Sequence, residues 1–116
     1  MSEKTTIGLT EDNLRYIKDV AEFKKFKNDI DIGRLAFAYA LKNNYDKEIH
    51  SFSDSVTTHW SVAIDANDEM TSIVQSLFPE CDSPYRFIQS AINVGLNHLR
   101  KEYPNGDLDL RLIMKT

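Results

Sequence analysis

Leu35-Ala36-Phe37-Ala38-Tyr39-Ala40-Leu41 sets the plan of this molecule. It is apolar on every side, and a helix with that surface has to be enclosed by other elements or by a partner chain. Asp29 or Asp31 upstream can cap its amino end. The run is the core helix, and the rest of the chain is arranged around it.

Toward the amino end, Thr5 to Leu9 alternates, with Ile7 and Leu9 on one face and Thr6 and Gly8 on the other, which predicts a brief strand. Thr10 with Glu11 and Asp12 is a helix start: the hydroxyl caps a free N–H and the carboxylates suit the positive helix end. Leu14, Ile17, Val20 and Ala21 recur at helical spacing with Phe23 at their end, and polar Lys24 to Asn28 closes that helix. On the carboxyl side, polar, serine-rich Asn43 to Thr58 reads as a long linker. Trp60, Val62 and Ile64 alternate with Ser61 and Ala63 as a half-buried strand, and Asp65 or Asn67 can cap the next helix. Met70, Ile73, Val74, Leu77 and Phe78 mark that helix, which Pro79 stops. Asp82 or Ser83 before Pro84 starts another, carried by Phe87, Ile88, Ala91, Ile92, Gly95, Leu96 and Leu99 to about Lys101. Pro104-Asn105-Gly106 turns the chain, and Leu108, Leu110, Leu112 and Met114 alternate as a terminal strand that pairs with another edge or chain.

The expected fold class is therefore mainly α, a helical domain with short strands. Strand, helix, helix occurs in residues 5–44 and again in 59–103, separated by a linker over 45–58 and followed by a terminal strand over 107–115, all within one domain spanning 1–116. The second helices open alike, Ile32-Gly33-Arg34-Leu35-Ala36 beside Pro84-Tyr85-Arg86-Phe87-Ile88. Strand-helix-helix is the ribbon-helix-helix unit, which cannot bury its apolar face alone and pairs its strand with that of a second copy. Two such units in tandem form that pair within one chain, as a pseudo-dimer.

The 116 residues suffice for one domain, and the expectation from that length is a single domain and not a multidomain enzyme. Hydrophobic residues at 41% and charged residues at 28% fit a folded, water-soluble chain. The longest apolar run is far short of the roughly 20 residues a bilayer needs, no signal sequence is evident, and the single Cys81 fits a reducing compartment. The expectation is a cytoplasmic protein with no membrane association. Cys81, with no base or cation beside it in sequence, reads as an inert thiol. Gly8, Gly33, Gly95 and Gly106 are scattered and form no phosphate-cradling loop. His50, His59 and His98 have no ligand partner at metal spacing, and His98 reads as paired with Glu102 four residues on. Asp68 and Glu69 belong to a helix start. The expectation is no enzyme, no cofactor and no metal.

Charge is distributed unevenly. The net charge is −4. The first fifty residues balance nine basic against nine acidic side chains, and the remainder carries five against nine. From Glu48 to Tyr85 there is no Lys or Arg, against seven carboxylates. Lys24, Lys25 and Lys27, set among Phe23 and Phe26 just before the amino end of the core helix, are the best phosphate-binding candidates. Lys4 and Thr6 on the outward face of the first strand, and Arg34, complete the DNA-binding set. With Ile7 and Leu9 inward, Lys4, Thr6 and Gly8 face out, and in the second strand His59, Ser61 and Ala63 do. That set lacks the Arg, Asn and Gln best shaped for reading bases, so contact to the DNA backbone is expected over operator reading. Asp65, Asp68 and Glu69 are the candidate docking residues for a basic partner.

Gly33-Arg34-Leu35-Ala36-Phe37-Ala38-Tyr39-Ala40-Leu41, Trp60-Ser61-Val62-Ala63-Ile64-Asp65 and Phe87-Ile88-Gln89-Ser90-Ala91-Ile92-Asn93-Val94-Gly95 together resemble the DndE family, over about residues 7 to 103. That family is the small subunit of the bacterial DNA phosphorothioate (sulfur modification) machinery. The resemblance implies a compact, mostly helical protein that self-associates into a tetramer, binds double-stranded DNA with a preference for nicks, and acts beside a cysteine desulfurase and an iron–sulfur partner without catalysing a reaction itself; a divergent relative would serve as a subunit of another DNA modification or phage-defence complex. The alternatives from the residues are a tandem ribbon-helix-helix transcriptional regulator and an acidic protein-interaction subunit.

Overall fold

A computed structural model describes residues 6–24, 29–65 and 68–106. In chain order it has strand β1 (Thr6–Leu9), helices α1 (Glu11–Lys24), α2 (Ile30–Lys42) and α3 (Asp46–Ser51), strand β2 (Thr57–Ser61), a 3-10 turn (Val62–Ile64), and helices α4 (Glu69–Leu77) and α5 (Pro84–Glu102). The protein is mainly helical with a two-stranded antiparallel sheet of β1 and β2. Among the described residues no helix is long and apolar enough to cross a membrane.

The core is built on α2 and α5. Ile88, Ala91, Ile92, Leu96 and Leu99 of α5 are buried, as are Ile32, Leu35, Ala36, Phe37, Tyr39 and Ala40 of α2. Each fully buried Ile or Leu is worth about 1.5–3 kcal/mol. The two helices approach closely at Gly95, where an added Cβ would lie 2.1 Å from the carbonyl oxygen of Ala36. Small residues at the crossing let the backbones touch. Helix α1 closes the same core with Tyr16, Ile17 and Val20.

Local chemistry sets most boundaries. Thr10 Oγ1 accepts from the Asn13 N–H at 3.2 Å, capping α1 as its sequence predicts. Pro84 opens α5. Helix α2 ends at Lys42, and Asn44 takes the left-handed conformation at φ 58° that suits asparagine after a helix.

Three elements differ from the sequence expectation. The stretch 45–58 contains α3 and the first residues of β2. Ile49 is buried and Tyr45 stacks on His98 of α5 at 3.8 Å, so one short apolar anchor and one ring are enough to dock a helix in an otherwise polar segment. The second strand ends at Ser61, and Val62 to Ile64 coil into the 3-10 turn, with Ser61 Oγ accepting from the Ala63 N–H at 3.0 Å. That serine competes with the ladder for the backbone. His98 bonds to Glu48 of α3, not to Glu102. Residues 107–115, read as a terminal strand, lie outside the described residues.

Candidate functional site

The β1–β2 ribbon joins the two halves of the chain. Thr6 pairs with Ser61, Ile7 with Trp60, Gly8 with Thr58 and Leu9 with Thr57, so His59 is an extra residue on β2. In a regular strand neighbouring side chains point to opposite faces. The bulge relaxes that rule. His59 and Trp60 consequently reach the same carboxylate: Asp29 Oδ2 meets His59 Nε2 at 2.6 Å, and Asp29 Oδ1 accepts from the Trp60 indole N–H at 3.0 Å. Of the two capping candidates, Asp29 occupies the N-cap position of α2 and Asp31 lies in its first turn, but the expected side-chain cap is not made: the Asp29 carboxylate is turned to β2. The indole lies over Gly33, where a Cβ would stand 2.7 Å from Trp60 Cη2. A side chain at position 33 would displace the ring.

The inward edge of β1 is closed by α5. The Gly8 N–H donates to Gln89 Oε1 at 2.9 Å, Asn93 Nδ2 donates to the Gly8 carbonyl at 3.0 Å, and the Thr10 N–H donates to Asn93 Oδ1 at 3.0 Å. Amide side chains here take the place of a neighbouring strand and protect the edge from further pairing. Asn13 Nδ2 also donates to Asn93 Oδ1, at 2.9 Å, and Arg100 Nε donates to Asn13 Oδ1 at 2.9 Å. Both asparagines are fully buried. Sequence reasoning misses Asn13, Gln89 and Asn93; the available signal is an amide at core spacing, Asn13 four residues before Ile17 and Asn93 three before Leu96.

Of the proposed DNA-binding residues, Thr6 lies half-buried in β1 and Arg34 lies in α2. The Arg34 guanidinium donates to the Ile64 carbonyl at 2.8 Å and pairs with Asp31 at 3.5 Å, which ties the 3-10 turn to α2. Lys4, Lys25 and Lys27 lie outside the described residues, and Lys24 is the last residue of α1. Gly8 is not outward-facing. It is buried beneath Val56, whose Cγ2 would lie 2.7 Å from a Cβ at position 8. Ala63 leaves the ribbon with the 3-10 turn, and His59 is held by Asp29. Thr57, Thr58 and Ser61 are the exposed hydroxyls of β2.

Asp65 is a correction to the docking set. It is 6% exposed, and its carboxylate accepts from the Met70 N–H at 2.7 Å, the Thr71 N–H at 3.2 Å and the Thr71 hydroxyl at 2.6 Å. It caps the first turn of α4, one of the two caps the sequence offers, the other being Asn67 outside the described residues, and its carboxylate is closed to a partner. Asp68 and Glu69 are exposed at the start of α4.

Two phenols are displaced in their titration. Burial pushes Tyr16 up to about 12, with Tyr103 adding to the rise and Arg100 opposing it. Its one hydroxyl hydrogen is shared between the Tyr103 carbonyl at 2.8 Å and the Leu99 carbonyl at 3.2 Å. Burial also raises Tyr39, reinforced by Glu102 and Tyr45. Among the described residues no group of three His, Cys, Asp or Glu side chains converges in metal-ligand geometry. Comparison of the chain with protein-family models, curated proteins and solved structures found no match.

Proposed function

We propose that this chain is a non-enzymatic DNA-binding accessory subunit, similar to DndE of the phosphorothioate modification system, that holds duplex or nicked DNA through its phosphates. The observation that carries the reading is the attachment of Asp29 to His59 and Trp60 of β2. Asp29 directly follows the Phe23-Lys24-Lys25-Phe26-Lys27-Asn28 run in the sequence. The exposed hydroxyls of Thr57, Thr58 and Ser61 on that strand suit phosphate oxygens. Self-association and company with other modification or defence subunits belong to the same proposal.

The test is titration of labelled intact and nicked duplexes across a salt series. Binding weakens steeply with salt, and replacing Lys24, Lys25 and Lys27 by alanine lowers the log–log slope by about 2–3, as expected for roughly 0.9 per lost phosphate contact. Absence of binding at about 50 mM salt rejects the reading.

The intrachain antiparallel pairing of β1 with β2, each strand leading into helices of its own half, favours a second reading, a tandem ribbon-helix-helix regulator. That reading requires a marked preference for one operator. Equal affinity for unrelated duplexes leaves the phosphate-directed function standing alone.

A further inference from the structure

We infer that the groove between α3, α4 and the amino end of α5 is a docking site for a partner's amphipathic segment, one that presents apolar anchors flanked by Lys or Arg. The groove encloses about 880 Å³, and none of its lining residues belongs to β1, β2 or the lysine run. The groove is thus separate from the surface assigned to DNA.

The floor is aromatic. Phe78 and Phe87 pack at 4.9 Å between ring centroids, and His50 meets them edge-on at 5.9 and 5.7 Å. The lip is apolar and exposed. Met70 and Val74 turn into the core, whereas Leu77 at the groove is 56% exposed and Ile73, one turn back along α4, is 43% exposed. The apolar strip thus continues out of the groove along α4 by about 6 Å, at 1.5 Å per residue. An apolar strip that runs on past the lining of the cavity suits an extended helical ligand over an enclosed small molecule.

Charge selects the partner. Glu80 and Asp82 line the groove as exposed carboxylates, and neither has an ion-pair partner among the described residues. Arg86 is the one cation among the lining residues. Helices α3 and α4 and the 79–83 turn lie within residues 46–83, where Lys47 is the last cation before Arg86. A cationic segment gains from this field, and an acidic segment or a nucleic acid is repelled by it.

The test uses the full chain and a fluorescein-labelled 15-residue model helix with Leu and Phe along one face and Lys on the other. Its controls are the same pattern with Glu for Lys, and a scrambled peptide of the Lys composition. The amphipathic Lys peptide is expected to bind at least tenfold more tightly than either control and to slow alkylation of Cys81, the single cysteine, which lines the groove. Leu77→Ser and the double variant Glu80→Lys/Asp82→Lys are each expected to weaken binding about tenfold. Both alter exposed side chains, and an unchanged thermal midpoint verifies that the fold is intact. Equal binding of the scrambled peptide, indifference to both variants, or unprotected Cys81 overturns the proposal. So does a concentration-dependent dimer that Leu77→Ser disperses, since the occupant is then a second copy.

Discussion

Trp60 donates its indole N–H to the carboxylate of Asp29 at 3.0 Å, and through that bond the second strand is fastened to the amino end of the core helix. The bond is one of two on that carboxylate, the other being to His59 at 2.6 Å. Asp29→Ala removes both and leaves the indole N–H without its acceptor. The expected loss is about 1.5–3 kcal/mol, the range for hydrogen bonds to a charged group. Urea unfolding followed by the emission of Trp60, the only tryptophan, measures it.

Gly95→Ala should be more damaging than its small size suggests. The new methyl would stand 2.1 Å from the Ala36 carbonyl oxygen, a backbone atom that cannot swing aside. Overpacking of this kind costs about 1–3 kcal/mol or more, against a gain of roughly 1 kcal/mol in helix propensity. A lowered urea midpoint checks the sign. Gly33→Ala tests the analogous approach at Trp60, and there a shift in tryptophan emission should accompany the loss, because the ring itself has to move.

Asn93→Leu removes the side-chain partner of the Gly8 carbonyl and of the Thr10 N–H, and one of the two acceptors of Asn13 Nδ2, whose bond to the main-chain carbonyl of residue 93 remains. Orphaned buried polar groups cost about 1–3 kcal/mol each, so a loss of about 3 kcal/mol or more is expected. A double-mutant cycle with Asn13→Leu should show coupling of about 1–2 kcal/mol, because the second replacement removes a group that the first deprived of one acceptor. Additive losses would contradict the shared network.

The raised pKa of Tyr16 makes stability fall in alkali. Its phenol titrates near 10 when unfolded and at about 12 when folded, so the unfolded chain releases its proton first as pH rises. The stabilisation is full below pH about 10 and is lost as pH climbs from there through about 12. Tyr39 shifts the same way. Tyr16→Phe should flatten the alkaline limb while lowering stability at neutral pH by about 1 kcal/mol, through the lost bonds to Leu99 and Tyr103. Unfolding titrations at pH 8 and pH 11 separate the two effects.

Legibility differs by residue. Thr10 and Pro84 act within one turn of their own positions, and the helices they start are readable. The alternation Trp60, Val62, Ile64 overshoots the strand because Ser61 redirects the backbone locally and the bulge at His59 resets which side each residue faces. Asp65 is legible as a cap but not as a buried group, since a carboxylate in sequence carries no mark of burial, and its assignment to a docking surface fails for that reason. Alternation assigns Gly8 outward, but Val56, from the stretch that reads as linker, covers it.

The helical class, the place of the core helix and the uneven charge follow from the amino-acid order alone, because periodicity, caps and composition act over a few residues. Long-range packing was needed to turn Asp29 toward β2 instead of its own helix, to bring Asn93 to the β1 edge, and to enclose an aromatic groove between α3, α4 and α5. The Asp29 and Asn93 pairings join residues 30 and 85 positions apart. The two close approaches are of the same kind: Gly33 meets the Trp60 ring and Gly95 meets the Ala36 backbone, and although each glycine is plain in the sequence, the distant group that needs its missing Cβ is not.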